Sequence, residues 1–339
     1  MKRVDIGRRS LIKGIAAGSA AAVLMPSIGA RAQTTLRINA GMQPIMNGPA
    51  HIAFREKYFE KLGLEVNFVK FTSGPAQFAA LAGGQVDLAW GGVGPFLVAN
   101  ANGQDLQFTS ILMDYNKLEM VLVPKDSPIK SMKDLKGKRV AGVQGSDVHY
   151  GLWKLLQAHG MSKDDAQLVG MAPPQQVAAF NARDVDAAFI WAPFATPLVD
   201  AGARIIARNS DLSPGPAFLG WAGRRPWLDK NAEAVSRLLR GWNMGLEKMK
   251  QDPEMAIRYT LDFTGMAREQ AVAIAKDLDC FDSTAALDPQ SIVHWSKDSK
   301  LRAMLGDFLK FGLDIGIAKS PVNVDDYVRT DLMQLARKG

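Results

Sequence analysis

Three short loops rich in glycine and serine carry the residue types in this sequence that could do binding chemistry. They are Thr72-Ser73-Gly74, Gly91-Gly92-Val93-Gly94 and Gln144-Gly145-Ser146-Asp147, and each follows a predicted strand and opens a predicted helix. Glycine lets a ligand approach the backbone, and the free amides and positive dipole end of a helix N-terminus attract an anion. The loops therefore predict an anion site, although Ser73 and Ser146 could equally serve only as helix N-caps.

Aromatic and sulfur-containing side chains are concentrated near the same predicted strand ends. Such side chains usually belong to a core, but as a group at strand ends they predict a pocket with an apolar wall and a polar end. The set consists of Met42, Met46, Trp90, Trp191 and Trp221, and the polar Gln43 lies between the two methionines.

Motifs of the common enzyme classes are missing from the sequence. No GxGxxG opens a helix, and neither GxxxxGK[ST] nor GxSxG occurs. The single cysteine, Cys280, excludes an intramolecular disulfide and a cysteine-cage zinc site. The four histidines are scattered and form no HExxH motif. We therefore expect no catalytic residues, no metal and no cofactor.

The formal net charge of +7 suggests a nucleic-acid partner until its distribution is considered. Residues 1–32 hold six of the 41 Lys and Arg but only one of the 34 Asp and Glu, so the rest of the chain has a net charge of about +2. No basic stripe remains, and we expect no nucleic-acid partner.

Residues 1–32 have the layout of an export signal. A basic segment ends at Lys13, an uncharged run covers 14–30, and Ala30-Arg31-Ala32 precedes Gln33. The Arg8-Arg9 pair and the residues after it resemble the twin-arginine motif, with Leu11 where that motif usually has Phe. A membrane anchor is the alternative, but an uncharged run of this length is short for a bilayer core of about 30 Å. We expect a mature protein that starts near Gln33 and works outside the cytoplasm.

These loops need a scaffold, and the sequence predicts one of short apolar strands alternating with amphipathic helices. That alternation is typical of a mostly parallel sheet flanked by helices, hence of the α/β class. From Pro226 onward the pattern is helical, with apolar residues at i, i+3, i+4 and i+7 between Val235 and Met249. Strands are predicted at 36–40, 64–69, 86–90, 106–113, 120–123, 139–143, 167–171, 186–191 and 204–207.

A turn cluster at 124–128 separates two series of the same kind. Residues 79–89 align without gaps to residues 178–188, with five of eleven positions identical. Alanine richness leaves coincidence open, but the offset matches the spacing of the two series and indicates two similar lobes. We divide the chain into a leader (1–32), a first lobe (33–123), a second lobe (124–221), and a return to the first lobe with C-terminal helices (222–339).

A set of short motifs follows a fixed order over nearly all of residues 35–250. The set comprises Gly63-Leu64-Glu65-Val66, Gly84-Gln85-Val86-Asp87, residues 132–141, Gly145-Ser146, Ala172-Pro173-Pro174, Val185-Asp186-Ala187 and Trp191-Ala192-Pro193. Their order and spacing resemble the nitrate/sulfonate/taurine family of solute-binding proteins of ABC importers. The resemblance implies a periplasmic two-lobed clamp of type II topology, which binds small, mostly anionic solutes between the lobes and delivers them to a membrane permease.

The resemblance also implies which residues face the solute. Many sulfonate-type members have Trp-Asp-Pro where this chain has Trp191-Ala192-Pro193, so the identity of the solute does not transfer. We expect a monomeric binding protein for a sulfonate or carboxylate with an apolar body. Two alternatives stay open, namely an enzyme similar to the pyrimidine synthases of thiamine biosynthesis and an exported enzyme that holds a cofactor. The candidate ligand-binding residues are Gln43, Ser73, Gly74, Trp90, Gly92, Val93, Gly145, Ser146, Trp191 and Trp221.

Overall fold

A computed structural model of the protein describes residues 35–43, 45–71 and 74–339. The predicted leader and its cleavage point therefore lie outside the described residues. Within the described ranges, no helix combines the length and the apolar character needed to cross a membrane.

Eleven strands lie in the described part of the chain. They are β1 (Leu36–Met42), β2 (Leu64–Lys70), β3 (Leu88–Gly92), β4 (Leu106–Asp114), β5 (Glu119–Val123), β6 (Lys138–Gly142), β7 (Ala166–Gly170), β8 (Ala187–Trp191), β9 (Arg204–Arg208), β10 (Phe218–Arg224) and β11 (Asp279–Cys280).

Thirteen α-helices accompany these strands in the same described ranges. They are α1 (Gly48–Arg55), α2 (Tyr58–Lys61), α3 (Gly74–Ala82), α4 (Val93–Ala101), α5 (Asp147–Ala158), α6 (Pro173–Asn181), α7 (Thr196–Asp200), α8 (Arg225–Lys230), α9 (Ala232–Gln251), α10 (Pro253–Thr264), α11 (Arg268–Asp277), α12 (Lys300–Asp314) and α13 (Thr330–Lys338).

The strands form two sheets with the same plan. The first has the order β2-β1-β3-β10-β4-β11, and the second has the order β7-β6-β8-β5-β9. In each sheet four strands run in one direction, and one strand is inserted antiparallel between the third and fourth of them. The inserted strand is β10 in the first sheet and β5 in the second. The predicted α/β class and the two-lobed, mostly parallel arrangement are confirmed.

The two inserted strands place the lobe boundaries earlier in the chain than the sequence predicts. β5 pairs with β8 and β9, so it belongs to the second lobe, and β10 pairs with β3 and β4, so it belongs to the first. The chain therefore crosses through 115–118 and returns through 209–217, earlier than the predicted boundaries at 123/124 and 221/222. Hydrophobic periodicity identified 120–123 as a strand but carries no information about which sheet accepts it.

The central strands of each sheet are buried on both faces, which explains why they read as continuous apolar runs. In β8, Ala187 and Phe189 pack into one apolar cluster of the second lobe, and Ala188 and Ile190 pack into the other. The first lobe likewise has two clusters, one against α1 and α9 and one against α4 and α12.

The helical pattern predicted after Pro226 corresponds to helices with clear start and stop residues, as α10 shows. Asp252 accepts a hydrogen bond from the Met255 amide at 3.2 Å, and Pro253 occupies the first turn of α10. Gly265, at φ 73°, ends the same helix in the left-handed conformation that favours glycine.

Asn116 ties the two crossings together. Its backbone amide and its Nδ2 both donate to Oδ1 of Asp114, at 2.8 and 2.7 Å. Its own Oδ1 accepts from the Ala217 amide at 2.8 Å, and Ala217 lies on the returning segment. Tyr115 adds a link to the second lobe, since its hydroxyl donates to the Ala192 carbonyl at 2.8 Å. The hinge is thus a pair of adjacent, hydrogen-bonded segments.

The internal repeat has a physical basis at Asp87 and Asp186. The Asp87 carboxylate accepts from the Asn39 amide at 2.8 Å, and the Asp87 amide donates to the Asn39 carbonyl at 2.8 Å. Asp186 makes the same pair of hydrogen bonds with Arg139, at 2.8 and 2.9 Å. In each lobe the aspartate thus joins the loop that enters one strand, β3 or β8, to the adjacent parallel strand, β1 or β6.

We expect Asp87→Ala and Asp186→Ala to destabilise the protein by similar amounts. Each removes a charge-assisted hydrogen bond to a backbone amide, which contributes about 1.5–3 kcal/mol. Chemical denaturation of both variants measures the loss. Asp126→Ala is the control, because it removes only an exposed ion pair with Arg183 and should cost below about 1 kcal/mol. A loss at only one of the two repeated positions would contradict the equivalence.

Candidate functional site

The strand ends of the first lobe place Gln43 next to a buried glutamine that the sequence analysis missed. Gln43 follows β1, and its Nε2 lies 3.4 Å from Oε1 of Gln77 on α3. Gln77 is buried and donates through its own Nε2 to the carbonyls of Gly41 and Trp90, at 2.8 and 2.9 Å. One amide therefore fixes the ends of β1 and β3 relative to each other. A polar residue inside an otherwise apolar helix is the signal that could have identified it.

The first of the three predicted loops is only partly described. Ser73 lies outside the described residues, and Gly74 is the first residue of α3. The prediction that these two residues bind the solute therefore stays a prediction.

Trp90 and Trp221 are buried in the first lobe, and their predicted place in the pocket wall stays a prediction. They are register partners on β3 and β10, each only 1% exposed, with ring centroids 5.0 Å apart. Trp242 of α9 stacks on Trp90 at 5.5 Å, and Phe68 stacks on Trp221 at 6.0 Å. Because these rings fill the core of the first lobe, they are enclosed by protein.

Trp191 differs from those two tryptophans. It ends β8, is half-buried, and packs against apolar clusters of both lobes. The neighbouring Ala192 is 2% exposed and packs in the first-lobe cluster. A carboxylate at this position would be removed from water, which gives a packing reason for alanine here. Of the predicted tryptophans, Trp191 is the one that lies where the lobes meet.

The second-lobe loop has Gly145 at φ 77° followed by Ser146. The Ser146 hydroxyl donates to the Val143 carbonyl at 2.7 Å and makes no cap hydrogen bond to α5. The hydroxyl proton of Ser146 therefore stabilises the turn at 143–146. This differs from the two predicted roles, which are helix N-cap and anion ligand.

The second and third predicted loops face each other across the lobes, and Asp147 lies between them. Asp147 is the first residue of α5 in the second lobe, and its carboxyl lies against Gly92 and Gly94 at the start of α4 in the first lobe. A Cβ at Gly94 would lie 2.8 Å from Oδ1 of Asp147, and a methyl group at Gly92 would collide with Oδ2. Glycine is thus required here for close approach. Val93, between these glycines, is buried and its carbonyl accepts from the Tyr327 hydroxyl at 2.7 Å.

A second buried carboxyl, that of Glu119, accompanies Asp147. Glu119 begins β5, is 6% exposed, and accepts a hydrogen bond from the Asn209 amide, while Asp147 is 7% exposed. Burial raises the pKa of Asp147 to about 8, although hydrogen bonds from the Gly94 amide and its own amide oppose the shift. Burial, followed by the charge of Asp147, also raises the pKa of Glu119 well above its ordinary value. We call Asp147, Glu119, Gly92, Val93 and Gly94 the interlobe junction.

The lobes also meet along α5 and α12. The Tyr150 hydroxyl and the Lys154 ammonium both donate to Oδ2 of Asp307, at 2.9 and 3.0 Å. The rings of Trp153 and Phe311 stack with centroids 4.9 Å apart. Helix α12 thus packs on the same helix that carries Asp147.

A cleft of about 440 Å³ lies between the lobes on another side. Its second-lobe wall includes Pro174 and Phe194, and its first-lobe wall includes Met266 at the turn between α10 and α11. In the described residues, no cluster of His, Cys, Asp and Glu is arranged to hold a metal ion.

Comparison with known proteins places this geometry in a family. Residues 48–256 match the family model described as NMT1/THI5 like. An aliphatic sulfonates-binding protein of Escherichia coli is 30% identical over 231 residues, which are 68% of this chain and 70% of that protein. The taurine-binding periplasmic protein of Escherichia coli is 26% identical, over 66% of this chain and 70% of that protein.

Solved structures share the fold. The periplasmic aliphatic sulphonate binding protein SsuA of Escherichia coli superposes with a TM-score of 0.72 at 23% identity, covering 86% of this chain and 91% of that one. The desulfurization enzyme DSZB superposes with a TM-score of 0.64 at 16% identity, covering 89% of this chain and 99% of that one. The fold alone therefore includes both binding proteins and an enzyme.

We expect Asp147→Asn to relieve a pH-dependent instability. Between the ordinary pKa near 3.8 and the folded value of about 8, the folded protein holds a proton that the unfolded chain has released. Stability from this group is therefore present at low pH and lost as the pH rises towards 8. Thermal unfolding should show that the melting temperature of the variant rises relative to that of the wild type between pH 5 and pH 8.5. Asp314→Asn, at an exposed position, is the control. A difference in melting temperature between Asp147→Asn and the wild type that does not change with pH would contradict the raised pKa of Asp147.

Proposed function

The chain belongs to the NMT1/THI5-like family, and from this membership we propose that it is the solute-binding subunit of an ABC importer. The observation that carries the proposal is the interlobe junction, where a carboxyl group of one lobe lies on the helix N-terminus of the other. That helix end holds a carboxyl oxygen in this structure, and its dipole would equally favour the oxyanion of a solute nearby.

The solute we propose is a small organic anion that carries a sulfonate or a carboxylate. Two relatives support this class, because their names give aliphatic sulfonates and taurine as the bound solutes. The aliphatic sulfonates in the name of one of these relatives support an apolar body on the solute. Nitrate has no such body.

We propose that the protein is not an enzyme. Cys280 is the one cysteine of the sequence, and it lies on the edge strand β11, paired with Met113. Burial raises the pKa of its thiol, so the nucleophilic thiolate is disfavoured at neutral pH. This supports binding without chemistry, despite the fold that the chain shares with a desulfurization enzyme.

In this proposal the protein works as a monomer in the periplasm. The lobes close on the solute, and the closed form is what the permease recognises. Hinge closure around a ligand is a common transition of two-lobed proteins, and the paired crossings at Asn116 and Ala217 suit it. The leader, with Arg8 and Arg9, would direct the folded protein to the twin-arginine route.

We expect ethanesulfonate and pentanoate to stabilise the purified mature protein more than nitrate does. A ligand at 100 times its dissociation constant stabilises the folded state by about 2.7 kcal/mol. A thermal-shift screen at pH 7 measures the effect, and small-angle scattering should show a smaller radius of gyration with the bound ligand.

A pair of glycine variants tests whether binding occurs at the junction. Gly92→Ala places a methyl group against the Asp147 carboxyl and should abolish the shift. Gly306→Ala, on an exposed turn of α12 with open space around it, should leave the shift intact. Binding that survives in Gly92→Ala, or a screen in which no anion stabilises the protein, would refute the proposal.

We expect replacement of both Arg8 and Arg9 by Lys to block export. The twin-arginine route depends on the arginine pair, whereas a general secretory signal requires only positive charge. Cell fractionation and immunoblotting should show uncleaved precursor in the cytoplasm. Normal export of the double variant would assign the leader to the general secretory route.

A further inference from the structure

Oδ1 of Asp147 is a buried polar atom without a hydrogen-bond partner in the part of the chain that the structure describes. The side chain belongs to a residue that is 7% exposed and lies between the loops at 92–94 and 145–146. These are two of the three loops whose residue types predict an anion site. The unpartnered atom is therefore located where a solute would contact both lobes.

No basic group neutralises this carboxyl. Among the described residues, none of the ion pairs includes Asp147 or Glu119. On α5 itself, Lys154 is paired with Asp307 of α12, and burial lowers the pKa of His149 to about 4, which leaves it neutral.

The other groups that face Asp147 add no positive charge. β5 presents Glu119, and the segment before α13 presents Tyr327, whose hydroxyl donates to the Val93 carbonyl. Asp114 adds a further negative charge near Glu119. Neighbouring carboxyls removed from water cannot all be ionised, because each negative charge disfavours the next. Protons must therefore be held at the junction at neutral pH.

We propose that Asp147 determines which solutes the junction accepts, by acting as a neutral carboxylic acid that donates a hydrogen bond to an oxyanion of the solute. The inference rests on the proposed function and names the group that would recognise the anion. An ionised Asp147 would repel an oxyanion, whereas the acid form offers it a short, charge-assisted hydrogen bond. No bond other than the hydrogen bond forms, and the proton stays on Asp147.

This role selects for solutes that stay anionic at neutral pH. A solute that presents a cationic nitrogen to the junction would instead require the ionised carboxylate, with the opposite dependence on pH. The raised pKa of Asp147 supports the acid form at pH 7. The sign of the pH dependence therefore distinguishes the two classes of solute.

The test uses ethanesulfonate, which stays fully ionised across the range, and isothermal titration of the mature chain between pH 6 and 9.5. In the wild type, the affinity should fall by about tenfold per pH unit above pH 8, because binding takes up one proton there. In Asp147→Asn this slope should disappear, and the affinity at pH 6.5 should be reduced by less than tenfold, since an amide N–H replaces the acid O–H. Asp314→Asn is the matched control and should keep the wild-type slope.

A second measurement needs no solute. Carboxyl ¹³C NMR of the wild type and of Asp147→Asn identifies the resonance of Asp147, which should titrate above pH 7. A midpoint near 4, a wild-type affinity that does not change with pH, or an affinity that rises with pH would each overturn the inference. If no anion binds at all, the proposed function fails, while the NMR titration still decides whether Asp147 holds a proton.

Discussion

The double crossing of the chain between the lobes is the constraint on which the rest of the structure depends. Each sheet is completed by a strand that lies beside a crossing, β5 in the second lobe and β10 in the first. Asn116 holds the two crossing segments together through Asp114 and Ala217. With the hinge fixed in this way, the helix starts at Gly92–Gly94 and at Asp147 come to face each other. The polar junction is thus a consequence of topology more than of local sequence.

Most of the scaffold could be predicted because its strands are short apolar runs between turn residues. The repeat at 79–89 and 178–188 has a structural counterpart, because each copy contains an aspartate that accepts a hydrogen bond from the neighbouring parallel strand, β1 or β6. β10 escaped prediction because Gly220 and Gly223 weaken the strand pattern of Phe218–Arg224. Its pairing with β3 and β4 spans more than a hundred residues, which no local pattern records.

The candidate site could be predicted only as a set of loops. Glycine at 92 marks backbone that approaches another group, which is the carboxyl of Asp147, whereas Gly145 meets only ordinary contacts and is needed for its positive φ. That aspartate reads in the sequence as an ordinary first-turn acid, because its burial depends on the opposite lobe. The burial of Trp90 and Trp221 could not be predicted for a related reason, since it depends on cross-strand pairing of β3 with β10.

The cluster of buried tryptophans in the first lobe has an optical consequence. Of the seven tryptophans, Trp90, Trp221 and Trp242 lie with centroids 5.0 and 5.5 Å apart inside one lobe. Rings this close exchange excitation energy, so the three form one chromophore that is shielded from solvent. Its emission follows unfolding of the first lobe. Motion of the lobes would instead change the emission of Trp153 and Trp191, which lie where the lobes meet. A Phe substitution at either position would separate the signal of lobe motion from that of unfolding.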